Sequence, residues 1–556
     1  MISDRSQYKT PLHLLYKWEQ DTPKNLYLKQ PISGRWINFT WQDAAEQIRR
    51  MAAALQSMQL PPQSKIAIVS KNCAHWIMAD LAIMMSGHVS VPLYPNINAG
   101  TLEYVLQHSE AKALFVGKLD NWQHMKPGVP EGLYCISFPN YYNTDKSYDN
   151  WDDLTAQHEP VAGTPNRNLD DLMTIIYTSG TTGKPKGVMH SYYTMSYAIT
   201  QALQVIDISQ LQQRHFFSYL PLSHIAERIL VEMGALYTGS TIYFAESLDT
   251  FADNLRFAQP SVFMAVPRIW TKFQKKILEK MPQQRLNLLL SIPVISGLIK
   301  KKIRQSLGLS NAVFCFTGAA PIPASLLEWF QKLGISILEV YAMTENSAYS
   351  HCTRPDNMRF GYVGQPMPFV DVKISEIGEI LVKSDANMLG YYKEPEQTAA
   401  AFDENGYLKT GDKGVVAKDG FLKITGRVKE IFKTEKGKYV APAPIEMEIL
   451  ENEFIEQVCV VGANLPQPIA LVVLSEIART AEKGKVGESL GQTLNIVNQK
   501  LESHEHVKTL VVVKDEWTVE NSLLTPSLKI KRNPIEETYG GRFSYWYNHP
   551  ENIIWE

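Results

Sequence analysis

Short runs rich in Val, Ile and aromatic residues alternate with longer stretches of helical periodicity, and this alternation constrains the fold more than any other feature of the chain. The runs are SKIAIVS (64–70), ALFVG (113–117), TIIYTS (174–179), HFFSYL (215–220), TIYFA (241–245), SVFMAV (261–266) and AVFCF (312–316). Between them, LDTFADNLRFAQ (248–259) and PASLLEWFQKLG (323–334) repeat their apolar residues at helical spacing. Strands joined by helices build largely parallel sheets covered on both faces, so the expected class is α/β. A chain of 556 residues is too long for one core and predicts a large, multi-subdomain unit.

The pattern changes after Arg427. There EQVCVVGA (456–463), PIALVVLSE (468–476) and TLVVVKDEW (509–517) alternate with short polar helical stretches, enough for a separate α+β domain. The expected division is residues 1–427 for the N-terminal domain and 428–556 for a small C-terminal one. The segment 158–171, HEPVAGTPNRNLDD, reads as a loop.

Charge narrows the partners. Lys and Arg number 55 against 57 Asp and Glu, a formal charge of -2, so no bulk positive field draws in a nucleic acid. Five cysteines, Cys73, Cys135, Cys315, Cys352 and Cys459, are odd in number and show neither zinc-site spacing nor a disulfide framework. A reducing, cytoplasmic setting is the expectation, and MISDRSQYKT does not resemble a secretory signal. The most apolar segment, LNLLLSIPVISGLI (286–299), is broken by Pro293 and Gly297 and is too short to span a bilayer. Basic residues flank it, and two readings stand: a core or lid helix with solvated lysine ends, or a segment lying on the inner, anionic face of a membrane.

The most chemical signal is YTSGTTGKPKG (177–187), directly after an apolar run. Glycines at 180, 183 and 187 can turn backbone N–H groups inward, and Thr178, Ser179, Thr181, Thr182, Lys184 and Lys186 surround them, the chemistry for holding a polyphosphate. It is not a Walker loop. Thr178 stands where that pattern needs its first Gly and Pro185 where it needs a hydroxyl.

This loop resembles the signature of the adenylate-forming enzymes: acyl-CoA synthetases, luciferases and nonribosomal adenylation domains. Further motifs follow in family order over nearly the whole chain: LPLSHIAER (220–228), TGAAP (317–321), YAMTE (341–345), TGD (410–412), GRVKEIFK (426–433) and LTPSLKIKR (524–532). The resemblance implies that ATP and Mg²⁺ bind with Thr344 on phosphate and Glu345 on the metal, a hard cation suited to one carboxylate plus phosphate oxygens. It implies further that Tyr341 and the Gly318 backbone pack on adenine, with Glu339 in the same nucleotide set, that Asp412 accepts from the ribose hydroxyls, and that Arg427 and Lys433 add ribose or phosphate contacts. His224 would face the acyl carboxylate, and Lys529 would bridge it to the α-phosphate. Lys429 stands at the family's hinge, Gly437 where CoA passes close to the backbone, and the C-terminal domain would rotate between two half-reactions. Three positions depart from the family: Arg228 where some fatty-acid-activating relatives place an aromatic gate, Ala342 for the usual Gly, and Leu528 for the Gly before the late lysine.

The implied activity is ligation in two steps, fatty acid plus ATP to acyl-adenylate and then CoA to the thioester, with a long-chain acid suggested by segments 70–97, 220–228 and 266–273. A ligase that loads a separate carrier protein, a CoA ligase for another acid and a nucleotide-binding scaffold without catalysis remain alternatives.

Overall fold

The structure is a computed structural model that describes residues 5–178, 184–208, 211 and 214–556. The apolar runs become strands: Lys65–Val69, Ala113–Val116, Leu172–Thr178, His215–Ser218, Thr241–Phe244, Val262–Met264 and Phe314–Thr317. Among the described residues they belong to an eight-stranded and a nine-stranded sheet. The centre of each is parallel. Lys65–Val69 pairs with Val89–Leu93 on one side and Ala113–Val116 on the other, and Val262–Met264, Phe314–Thr317 and Ile337–Tyr341 run side by side. The expected α/β class with largely parallel sheets is the architecture observed.

Helices pack their apolar faces on the sheets. Ala74–Met85 is buried at every position, and it joins Trp41–Ser57 and Tyr192–Val205 in one core. A second core, around Phe217, Phe263, Trp270 and Phe330, lies on the other side of the nine-stranded sheet. The segment 158–171 is a loop, as its composition predicts.

A four-stranded antiparallel sheet, Asp371–Ile374, Glu379–Lys383, Leu408–Val416 and Leu422–Arg427, packs its apolar face against Tyr341. Beyond it, Ile455–Val461, Ile469–Leu474, Leu510–Val512 and Ile553–Trp555 form a mixed sheet with separate apolar clusters on its two faces. Polar contacts join this C-terminal unit to the larger part. Arg268 pairs with Glu456, Lys275 Nζ donates to the Glu453 carbonyl at 3.1 Å, Ser325 Oγ donates to Glu451 at 2.9 Å, and Asn96 Nδ2 donates to the Pro526 carbonyl at 3.0 Å.

The apolar segment 286–299 is divided between two helices, Gln283–Leu290 and Pro293–Leu307, parted at the proline. Among the described residues no helix is long and apolar enough to cross a membrane.

Candidate active site

The glycine-rich loop joins two antiparallel strands rather than a strand and a helix: Thr178 lies opposite Lys186 and Tyr177 opposite Gly187. Ser179, Gly180, Thr181, Thr182 and Gly183 lie outside the described residues. Lys184 is exposed, with Nζ 5.2 Å from the Tyr104 ring centre, and Lys186 Nζ stands 4.9 Å from that of Tyr391.

Across the cleft, Ile337–Tyr341 ends in a single tight turn, Thr344–Asn346. That turn is held from below: His190 Nε2 donates to the Thr344 carbonyl at 2.8 Å, and Met388 N donates to the Glu345 carbonyl at 2.7 Å. Glu345 is buried and its Oε1 accepts from Tyr391 Oη at 2.9 Å. Burial raises its pKa, while the Tyr391 hydrogen bond and the Arg427 and Lys186 charges oppose the rise. A buried carboxylate short of positive charge suits a divalent cation. Among the described residues no three His, Cys, Asp or Glu side chains cluster to hold a metal, and an ion at Glu345 would suit one carboxylate with further oxygen ligands such as phosphate or water, as Mg²⁺ commonly takes.

Gly318 lets the loop after Phe314–Thr317 lie on the next strand: a Cβ there would sit 2.7 Å from Val340 Cγ2 and 2.8 Å from the Val340 carbonyl oxygen. Tyr341 Oη donates to Asp412 Oδ2 at 2.9 Å, and Arg427 Nε donates to Asp412 Oδ1 at 2.8 Å. Arg427 reaches Asp412 because the two are register partners on neighbouring strands. Each carboxylate oxygen can accept a second hydrogen bond, so both remain open to ribose hydroxyls. Glu339, two residues before Tyr341 on the same face, has its carboxyl pushed up to about 8 by burial.

Lys529 comes from the C-terminal domain on a tight turn. Thr525 N donates to the Lys529 carbonyl at 2.7 Å, and Thr525 Oγ1 accepts from Lys529 N at 3.0 Å. Its side chain stays reachable by water in a cleft walled by protein. That enclosure, followed by the Arg427 charge, lowers its pKa, while Asp412, Glu345 and Glu430 act to raise it. The same lysine acts on His224, whose pKa falls to about 4 through burial first and the Lys529 charge second. His224 is therefore neutral near pH 7; it caps the turn Ile225–Glu227, its Nδ1 accepting from Ala226 N at 3.2 Å.

The structure thus gathers Thr344, Glu345, Tyr341, Asp412, Arg427, His224 and Lys529 around one cleft. Lys433 and Gly437 lie instead on an exposed hairpin of Phe432–Lys433 and Tyr439–Val440, and no described contact links them to Glu345 or Asp412. Gly437 has a φ of +76°, a conformation few side chains adopt without strain. Lys429 is exposed on the segment leaving Leu422–Arg427.

Two departures find physical explanations. Arg228 lines no open tunnel: it is fully buried, with Nη2 2.5 Å from Asp80, Nε 3.1 Å from Glu232 and Nη1 donating to Thr174 Oγ1 at 2.7 Å. Leu528 has a φ of +61°, the left-handed region that explains why glycine is the more usual residue there. Tyr391, Asn96 and Thr525 were not singled out in the sequence. No spacing ties Tyr391 to Glu345, and only the folded chain brings them together.

Residues 15–392 match the AMP-binding enzyme family and residues 430–551 the AMP-binding enzyme C-terminal domain. A long-chain-fatty-acid–CoA ligase, FadD15 of Mycobacterium bovis, is 27% identical over 96% of this chain and 96% of its own length. The long-chain-fatty-acid–CoA ligase ACSBG2 of Xenopus laevis is 27% identical over 92% of this chain and 80% of its own. Among solved structures, the A-PCP didomain of a carboxylic acid reductase from Segniliparus rugosus, in complex with AMP, superposes with a TM-score of 0.81 at 21% identity, covering 97% of this chain and 82% of that one. The anthranilate CoA ligase AuaEII with anthranoyl-AMP gives 0.78 at 18% identity, covering 97% and 98%.

Proposed function

Because the chain belongs to the AMP-binding enzyme family, we propose that it activates a long-chain fatty acid with ATP and passes the acyl group to CoA. The observation that carries this reading is the placement of Lys529. A cation from one domain stands within electrostatic reach of Glu345, Asp412 and Arg427 from the other, where an acid and a nucleotide would meet.

In the first step a carboxylate oxygen attacks the α-phosphorus, the bond to the β-phosphate oxygen breaks, and acyl-adenylate and pyrophosphate form. Two anions must approach before any bond forms, so the residues' main work is to neutralise charge and hold the reactants in line. Lys529 bridges carboxylate and α-phosphate. Thr344 and the hydroxyls and lysines of 178–186 take the remaining phosphate oxygens, Tyr341, Gly318 and Glu339 hold the adenine, and Asp412 and Arg427 hold the ribose. Mg²⁺ bound at Glu345 would supply positive charge to the phosphates. Neutral His224 packs against the acid rather than adding a second cation. In the second step the CoA thiol attacks the acyl carbon, loses its proton and expels AMP.

The exposed Gly437 hairpin and the lone Lys429 connection support a rotation of residues 428–556 between the steps, which withdraws Lys529 and presents Gly437 to the pantetheine arm. The names of the curated relatives support CoA as acceptor.

The test is pyrophosphate exchange into ATP, and then thioester formation, over a series of fatty acids with CoA present or absent. Exchange with long-chain acids without CoA, and thioester only with it, is expected. Exchange confined to short or aromatic acids, or transfer only to a carrier protein, rejects the substrate or acceptor. Lys529→Ala should lower exchange by about 100-fold or more, as loss of a group stabilising transition-state charge does, and should leave thioester formation from supplied acyl-adenylate within a few-fold. Equal losses in both steps would count against the rotation.

A further inference from the structure

The helical pair Gln283–Leu290 and Pro293–Leu307, together with Pro267–Lys280 before it, makes an excursion between the strands Val262–Met264 and Phe314–Thr317. Its inner side is ordinary core. Leu286, Ile303 and Leu307 are buried beside Trp270 and Phe330, with Ile303 and Leu307 spaced to share one helix face. Its outer side is not ordinary surface. Leu288 is 64% exposed, Ile292 40%, Val294 79% and Leu298 65%, four large aliphatics at the turn where the two helices meet. Scattered exposed leucines need no explanation, but four on one protruding turn form a patch.

Charge specifies the patch further. Residues 267–307 carry ten Lys and Arg against a single acid, Glu279, within a chain whose formal charge is -2. Two of the ten serve the domain interface, Arg268 on Glu456 and Lys275 on the Glu453 carbonyl. Lys276, Lys280, Arg285, Lys301 and Lys302 are exposed and pair with no acid among the described residues. Along Pro293–Leu307 the outward face runs from Val294 and Leu298 into Lys301 and Lys302, apolar at the tip and basic behind it. Bases set back from an apolar tip match the layering of an anionic bilayer surface, where aliphatics reach the acyl boundary and ammonium groups remain at the phosphates. A nucleic acid offers nothing to four exposed aliphatics, and an ordinary protein partner does not call for so large an excess of one charge.

We infer that this helical tip docks the protein onto an anionic lipid bilayer, with Leu288, Ile292, Val294 and Leu298 entering the interface and the surrounding lysines contacting lipid phosphates. The docking is independent of the acid that the enzyme activates, since it is measured without turnover. The full chain is sedimented with vesicles of phosphatidylcholine alone and of phosphatidylcholine with phosphatidylglycerol, at low and high salt. Binding to the anionic vesicles, weakened by salt, is expected. Val294→Glu with Leu298→Glu should abolish it, and Lys301→Ala should weaken it by roughly fivefold. Both variants should keep the wild-type melting temperature and pyrophosphate exchange, which separates loss of docking from loss of fold or of the proposed activity. Absence of binding to anionic vesicles overturns the inference, as does binding that the two substitutions leave unchanged. Light scattering that shows a dimer dissolved by Val294→Glu, with no vesicle binding, assigns the patch to a second copy of the chain instead.

Discussion

To hold the cation proposed for it, Glu345 would have to be ionised, and its burial works against that. Tyr391 Oη is one of the groups that keep it charged. Removing that donor in Tyr391→Phe raises the Glu345 pKa further. The acid limb of the exchange profile should then move to higher pH and the KM for Mg·ATP should rise, while His224, already neutral above about pH 4, adds no inflection near its ordinary value. An unchanged acid limb would remove Glu345 from the rate-determining ionisations. Leu528 raises a different residue question. Holding Leu in the left-handed region costs about 1–2 kcal/mol, and glycine in its place loses about 0.5–1 kcal/mol through the greater freedom of the unfolded chain. Leu528→Gly should therefore stabilise the C-terminal domain slightly, by less than about 1 kcal/mol in urea unfolding, with Lys529 function retained.

At the scale of elements, a buried ion pair ties the helix Ala74–Met85 to the π-helical turn Arg228–Met233. One Arg faces two acids there. Burial first, and the Asp80 charge next, push the Glu232 carboxyl well up. Taking one partner from such a pair leaves an uncompensated buried charge. Arg228→Leu should cost about 3–5 kcal/mol in chemical denaturation, and adding Asp80→Asn should return part of that. A loss below about 1 kcal/mol would mean that water reaches the site. The sequence marked Arg228 only as a departure from an aromatic gate. Its partners lie 148 residues away and one helical turn on, and only packing identifies the distant one.

For the whole molecule, the question is what holds the C-terminal domain in the orientation that brings Lys529 to the cleft. The polar contacts between this domain and the larger part, among the described residues, include Arg268 with Glu456, Lys275 with the Glu453 carbonyl, Ser325 with Glu451 and Asn96 with the Pro526 carbonyl. Polar contacts of this kind suit the rotation proposed above, because they break without exposing a hydrophobic core. Reversing one charge, Arg268→Glu, should disfavour this orientation and slow pyrophosphate exchange several-fold, and Glu456→Arg in the same chain should restore much of the rate. Failure of the double variant to recover would place the effect of Arg268 elsewhere.

What the sequence determined by itself was the class of fold and the chemical inventory. Strand and helix periodicities are local, so the runs from SKIAIVS to AVFCF were legible one by one, and the ordered motifs named Thr344, Glu345, Asp412 and Lys529 before any coordinate did. The tertiary structure decided which groups meet. Tyr391 reaches Glu345, Thr178 faces Lys186, and Asn96 grips the loop that carries Lys529, because sheet register and domain packing bring distant segments together. It also decided which apolar residues of 286–299 were to be buried and which left outside, since a helix spreads successive side chains around its axis and only the surface it packs on selects the inner ones.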